Sequence, residues 1–323
     1  MNGRNGSEMA WLAPPAPIFS VCPRGRLISS NPFPRKCERL VIELHPDIRE
    51  NFTGEDVFNR ILAIRGEVFR DMDGRKTLRF TLTGKRYFIK MHFGVGWKII
   101  FKDLARLHFP TLSARTEKLA ITRIEELGVN TMKIVGYGEQ GWNPARLKSF
   151  IITEELENTT SLEDFCREWA SRPPGFALKQ ALIAEVARIA RLLHENGMNH
   201  RDFYICHFLL DRDSGKYTTD LRQGRGDEDR PRIFLIDLHR TQIRRRTPKR
   251  WIIKDLAGLY FSSMDIGLTR RDILRFIKIY RGRGLREVLT EEKGFWHRVN
   301  RRAVKLYKKI FGRFPNFTFH NGH

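Results

Sequence analysis

The sequence predicts an α+β chain in two lobes, strand-rich in front and helical behind. Between Glu67 and Phe93, apolar and polar residues alternate at period two, broken by turn signals. From Leu178 onward, apolar residues recur at helical spacing instead. Within that helical half only two short apolar runs, "HFLLD" and "IFLID", suit strands. Strands grouped ahead of helices, not alternating with them, mark an α+β chain.

Each element follows from local chemistry. Residues 1–39 are rich in Pro, Gly, Ser and Arg, and Pro14, Pro15 and Pro17 interrupt the apolar stretch Met9–Phe19. They read as a disordered leader and a poor signal peptide. Three strands follow as a meander: one ending at "DMDG", one in which Leu78, Phe80 and Leu82 alternate with Thr77, Arg79 and Thr81, and "RYFIKMHF" after the Gly84-Lys85 turn. "SARTEKLAITRIEELGV" is helical, with Ser113 as N-cap and Gly128 as stop. "KIVGYGE" and "SFIITEEL" are strands, and Ser161 caps a helix in "SLEDFCREWA". Leu178, Leu182, Val186, Ile189 and Leu193 share one face of a long helix ending near Gly197. The two short apolar runs then pair as a hairpin, with a polar, Gly- and Asp-rich loop from Arg212 to Arg232 between them. The expected division is a leader at 1–39, an N-lobe at 40–156 and a C-lobe at 157–323.

Composition limits the possible functions. Apolar residues make up 41% of 323, enough for a substantial core. No run of eighteen apolar residues offers a helical membrane span. Cys22, Cys37, Cys166 and Cys206 form no CxxC pair, which argues against a zinc site or disulfide framework. The net charge of +22 favours a polyanionic partner: nucleic acid, an anionic membrane or a phosphorylated substrate.

The candidate chemistry is phosphoryl transfer. That reaction needs a cation for phosphates, a group to hold the cation, a metal ligand and a base for the acceptor hydroxyl. "NHRDF" contains His200-Arg201-Asp202, the tripeptide that opens the protein-kinase catalytic loop. Asp202 can accept a proton from an attacking hydroxyl, or simply cap a turn. Lys90 lies inside a run of strand formers, as a phosphate-anchoring cation or an edge-strand lysine. Glu117 falls within about 40° of Ile121 and Ile124 on its helix, in the middle of the apolar stripe. A carboxylate there needs a cation, and Lys90 is the natural one. Asp237 ends the strand "IFLID", where a carboxylate can hold Mg²⁺ or close a turn. His207 stands where protein kinases carry a metal-binding Asn; it either ligates metal or holds the loop. Gly74 is the single glycine where those kinases use three. The strand end from Glu154 to Leu156 sits where an adenine would meet exposed backbone.

The blocks "GEVFRDMDGRKTLRF", "YFIKMH", "SFIITEEL", "SLEDF", "NHRDFYICHFLL", "IDLHR", "KRW" and "KDLAGLYFSSMDIGLTRRD" closely resemble the lipopolysaccharide core heptose(I) kinases of Gram-negative bacteria. The resemblance implies a protein-kinase-like two-lobed fold. It implies ATP- and Mg²⁺-dependent phosphorylation of the first inner-core heptose at its 4-hydroxyl, on a lipid A-anchored acceptor at the cytoplasmic face of the inner membrane. It gives Asp202 the role of base, Lys90 and Glu117 that of phosphate anchor, and Asp237 that of metal ligand. Asp255 would support the catalytic loop, with His200 and Arg201 bracing it. Asp237-Leu238-His239 departs from the Asp-Phe-Gly of protein kinases, and no Ala-Pro-Glu follows, which puts a peptide substrate in doubt. Arg240, Arg244, Arg245, Arg246, Lys249 and Arg250 would line the acceptor mouth and suit an anionic glycolipid. The basic helix around Val299–Ile310 either rests on an anionic membrane or packs its apolar stripe on the lobe. A non-catalytic scaffold or nucleic-acid binder is the rival; it needs no such full set of groups, and no nucleic acid is expected. A kinase of another small sugar or an antibiotic is the third reading.

Overall fold

A computed structural model describes residues 39–72, 74–94, 96–97, 101, 113–213 and 230–316. The expected leader lies outside the described residues apart from Arg39. The front of the molecule is one six-stranded antiparallel sheet. Its strands are β1 (Leu40–Leu44), β2 (Glu67–Met72), β3 (Arg75–Leu82), β4 (Lys85–His92), β5 (Ile134–Gln140) and β6 (Lys148–Glu154). Their order across the sheet is β1-β5-β6-β4-β3-β2. The meander expected from the alternation is therefore β2-β3-β4. In β4, Tyr87, Ile89 and Met91 are buried against Leu78, Phe80, Phe150 and Ile152, while Phe88 and Lys90 point to the other face.

Two short helices, α1 (Pro46–Arg49) and α2 (Val57–Leu62), supply Ile48, Phe58 and Ile61 to this core. Neither is long enough to show a helical period, so the alternation pattern passes over them. Helix α3 (Arg115–Glu126) crosses behind the sheet, burying Glu117, Ala120, Ile121 and Ile124. It begins later than the cap signal suggests: Ser113 Oγ accepts the Arg115 amide at 3.2 Å, and the helix starts at Arg115. Gly128, at φ +67°, ends it as expected.

Behind lie β7 (Thr159–Ser161), α4 (Leu162–Phe165), α5 (Phe176–Glu195), β8 (Met198–Asn199), β9 (Phe208–Asp211), β10 (Ile233–Leu235) and β11 (Gln242–Ile243). Four more helices complete the lobe: α6 (Lys249–Ser262), α7 (Arg270–Arg281), α8 (Leu285–Glu291) and α9 (Lys293–Phe311). Ser161 Oγ accepts the Asp164 amide at 3.0 Å, the cap expected of it. The hairpin β9-β10 gains a third strand, β7, which makes a small sheet in the order β10-β9-β7. Strand β9 begins at Phe208; Ile205–His207 is a 3₁₀ turn.

The segment Gly197–Asn199 that leads to Asp202 is pinned from two sides. Strand β8 pairs with β11, Met198 opposite Ile243 and Asn199 opposite Gln242. Gly197, at φ +77°, lies so close to the Arg244 carbonyl that a Cβ would sit 1.7 Å from its oxygen. Only glycine fits there. On α9, Val299, Ala303 and Tyr307 are buried on the lobe, so most of the apolar stripe packs inward, while Ile310 and Phe311 of the last turn are exposed. Among the described residues, no helix is long and apolar enough to cross a membrane. Between α4, α5, α7 and α9 lies an apolar cavity of about 120 Å³, lined by Leu162, Cys166, Trp169, Leu182, Phe276 and Trp296 among others.

Candidate active site

The site forms where β4, α3, the β8–β9 loop and the turn after β10 converge. Lys90 Nζ reaches Glu117 Oε1 at 2.6 Å and Asp237 Oδ1 at 3.8 Å. Glu117 is 2% exposed, so its charge is compensated by Lys90 and not by water. Burial acts to lower the Lys90 ammonium, but the charges of Glu117 and Asp237 and their hydrogen bonds raise it above its ordinary range. Lys90 therefore stays charged. The helical-wheel placement of Glu117 on the apolar stripe, paired with Lys90, is observed.

Asp237 sits just after β10 at φ +60°, a left-handed backbone that turns its carboxylate toward the sheet lobe. Burial acts to raise its carboxyl, yet the His239 hydrogen bond and the charges of Lys90, His239 and His207 hold it well below the usual carboxylate range. His239 Nδ1–H donates to Asp237 Oδ1 at 2.6 Å. Among the described residues, no three His, Cys, Asp or Glu gather as a protein metal cage. Mg²⁺ keeps several waters and takes one or two carboxylates with substrate phosphates. Asp237, ionised and adjoining the Lys90 charge, is a carboxylate that could serve such an ion.

His207 resolves into a loop-holding residue with a second face. Its Nδ1 lies 2.7 Å from the Asp202 carbonyl oxygen, which can only accept, so Nδ1 carries the proton. Its Nε2 is then turned toward Asp237 Oδ2, 3.6 Å away. Its ring stacks on His200 with centroids 5.7 Å apart. His200 Nε2–H donates to the Ile236 carbonyl at 2.9 Å, joining the loop to the strand that delivers Asp237.

Asp255, fully buried on α6, accepts the His200 amide at 2.6 Å through Oδ2 and the Arg201 amide at 2.9 Å through Oδ1. His194 Nε2 adds a third neighbour at 3.5 Å. Asp202 follows directly, and both of its carboxylate oxygens take Arg240 Nη1, at 2.9 and 3.0 Å. The carboxylate is oriented by this contact while remaining partly open to solvent, at 18% side-chain exposure.

The strand end at Glu154–Leu156 and the basic run after Asp237 also carry bonds of their own. The Glu154 and Glu155 amides already donate, to the Lys133 and Arg86 carbonyls at 3.0 Å each, and the Glu154 side chain pairs with Lys133 at 2.8 Å. A base meeting this edge is left with carbonyls and Leu156. Arg240 is committed to the Asp202 carboxylate, and Arg244 donates to the neutral Asn199 and Gln242 amide oxygens at 2.6 and 2.5 Å. Arg245, Arg246, Lys249 and Arg250 are exposed. Gly74 turns at φ +70°, and a Cβ there would lie 2.6 Å from the Gly94 carbonyl oxygen, so close packing demands this glycine.

Sequence reasoning gave no role to His239 or His92. His92, on the strand of Lys90, is held down to about 3 by burial and then by the charges of Arg75, His239 and Lys90, and so stays neutral. The offset of His239 from Asp237, two residues along a turn, was the available signal.

Three comparisons bear on this geometry. A family model described as the lipopolysaccharide kinase (Kdo/WaaP) family matches residues 59–280. The lipopolysaccharide core heptose(I) kinase WaaP of Pseudomonas aeruginosa is 48% identical over 271 residues, covering 84% of this chain and 97% of that protein. The enzyme of the same name from Escherichia coli K12 is 47% identical over 269 residues, 83% of this chain and 98% of that one. A solved structure, WaaP in complex with acyl carrier protein, superposes with a TM-score of 0.68 at 46% identity, covering 83% of this chain and 99% of that one.

The Lys90–Glu117 pair makes a sharp stability prediction. Lys90→Met strands a buried carboxylate and costs about 3 kcal/mol. Lys90→Met/Glu117→Leu recovers most of that loss, because no unpaired charge remains. Urea denaturation of the three proteins checks it; a double variant no more stable than the single one contradicts the pairing.

Proposed function

Since the chain belongs to the lipopolysaccharide kinase (Kdo/WaaP) family, we propose that it transfers the γ-phosphoryl group of ATP to the first heptose of the lipopolysaccharide inner core, at its 4-hydroxyl. The observation that carries this reading is the convergence of Lys90, Glu117, Asp202 and Asp237 in one site. A non-catalytic scaffold would have no use for a charged lysine, an ionised strand-end carboxylate and a held base together.

Residues 40–156 take the nucleotide and 157–323 the acceptor. Lys90, kept charged and aimed by Glu117, neutralises the nucleotide phosphates. The β2–β3 turn at Gly74 covers them, and Leu156 meets the adenine. Asp237 would hold Mg²⁺, with His207 Nε2 facing the same carboxylate, and the ion would neutralise charge on the phosphates. The acceptor hydroxyl oxygen attacks the γ-phosphorus as the bond to the β–γ bridging oxygen breaks. Asp202, oriented by Arg240, receives the hydroxyl proton. Most of the rate comes from positioning and charge neutralisation.

The acceptor is anchored in a membrane, and the surface suits it. Ile310, Phe311 and Phe314 are exposed beside Lys308, Lys309 and Arg313, which places an apolar and basic tip at the end of α9. Such a tip fits the anionic cytoplasmic face of the inner membrane as a peripheral contact. The partner named for the solved relative is also proposed for this chain. An acyl carrier protein bears an acyl chain, and the cavity of about 120 Å³ in the helical lobe is apolar enough to receive one.

Asp202→Asn keeps nucleotide affinity within about threefold and lowers transfer to heptosylated lipid A by at least about a thousandfold. Calorimetry with ATP and single-turnover transfer assays read the two separately. Near-normal transfer contradicts the role of Asp202. For the partner, acyl-loaded carrier raises the thermal midpoint of the protein and unloaded carrier does not; equal effects of the two forms contradict the cavity reading.

A further inference from the structure

Beside Asp202 lies a cluster of positive charge with too little negative charge to balance it. The indole of Trp251, on the first turn of α6, is the centre. Arg201, Arg244, Arg250 and Lys254 hold their charged ends 5.4, 5.8, 5.5 and 5.5 Å from its ring centroid. Arg240 adjoins them through Asp202. Cation–π contact eases such crowding but supplies no countercharge.

Arg201 is the sharpest member. It is 9% exposed, and its Nε is buried without a hydrogen-bond partner. Among the described residues no carboxylate lies within ion-pair distance of it. Asp255, the nearest candidate by position, spends its oxygens on the His200 and Arg201 amides. Asp202 is taken by Arg240. Arg244 has only the neutral Asn199 and Gln242 as partners. Trp251 Nε1 is itself buried and unpartnered. Burial first, and then the like charges of neighbours, lowers Arg201, Arg244 and Lys254 together. An arginine this buried is normally paired, since an uncompensated buried charge costs several kcal/mol. Arg201 braces the loop through its backbone amide on Asp255, which leaves its guanidinium against the Trp251 ring without a countercharge.

We propose that Arg201, Arg244, Arg250 and Lys254, gathered on Trp251, bind an oxyanion of the acceptor and thereby set which hydroxyl reaches Asp202. This rests on the heptose-kinase reading and deepens it. The ligand chemistry is a carboxylate or phosphate ester on the acceptor glycolipid: a sugar-acid carboxylate next to the heptose, or a lipid A phosphate. Arginine forks suit either through paired N–H donors. A neutral sugar or a cationic antibiotic would leave the cluster uncompensated, which is the specificity this site provides.

Steady-state kinetics with three acceptors test it: native heptosylated lipid A, the same with its sugar-acid carboxyls reduced to alcohols, and the same with lipid A phosphates removed. With native acceptor, Lys254→Met and Arg201→Met each raise the acceptor KM about tenfold, the loss of one charge-assisted contact, while the KM for ATP stays within about twofold. With the acceptor lacking the recognised anion, wild type shows the same raised KM and the variants lose nothing further. Coupling to the carboxyl identifies the sugar acid, and coupling to the phosphates identifies lipid A. Coupling to neither overturns the proposal. Arg201→Met also separates binding from structure: without acceptor, its thermal midpoint is equal to or above that of wild type, because an unpaired buried charge has gone. A marked fall in that midpoint, with acceptor KM unchanged in Lys254→Met, equally overturns it. Should wild type fail to phosphorylate any of the three acceptors, it is the heptose-kinase reading that falls. Binding of the native and anion-stripped glycolipids, measured by calorimetry, then still decides the anion site.

Discussion

One buried carboxylate holds the site in shape. Asp255, with no exposed surface, accepts two successive backbone amides, those of His200 and Arg201. That forces Arg201 to φ +75°, a conformation that side-chain-bearing residues seldom adopt without compensation. The reversal delivers Asp202 to the cleft. Gly197 allows the preceding chain to pass against Arg244, and the β8–β11 pair ties the loop to the segment carrying Arg240. The same segment then orients Asp202 through Arg240. The Asp255 anchor thus fixes the segment that carries Asp202, on which Arg240 rests.

Charge crosses the cleft in one connected line. Glu117 aims Lys90, Lys90 approaches Asp237, and Asp237 is flanked by His239 and His207. His207 also joins this line to the loop through the Asp202 carbonyl. The histidine that stands in place of the usual metal-binding amide thus has two contacts. One ring nitrogen holds the loop, and the other faces the Asp237 carboxylate. That line alternates carboxylates with Lys90 and the histidines, whereas the cluster on Trp251 is basic throughout. That asymmetry suits a reaction between a metal-bearing nucleotide and an anionic glycolipid.

Much of this was legible in the sequence, for definite reasons. Lys90 and Glu117 stood out because each broke a pattern: a cation in a strand of apolar residues, and a carboxylate on an apolar stripe. Asp202 and Asp237 lay at the ends of recognisable elements, and Asp255 came from the resemblance to heptose kinases. Strand β1, helices α1 and α2 and the two-residue strands β8 and β11 were not legible, because they are too short to show a period. The partners of Arg240 and Arg244 were hidden too. A run of arginines in sequence does not reveal which ones fold back onto Asp202 or Asn199. The isolation of Arg201 could not be seen at all, since it consists of partners that are absent in space.

The central claim is that this site phosphorylates inner-core heptose through Asp202. Mass spectrometry of the lipopolysaccharide core from a strain lacking the gene, complemented with wild type or with Asp202→Ala, tests it most directly. The account predicts that the deletion removes one phosphate from the first heptose, and that wild type restores it while Asp202→Ala does not. Restoration by Asp202→Ala, or a core unchanged by the deletion, would contradict it.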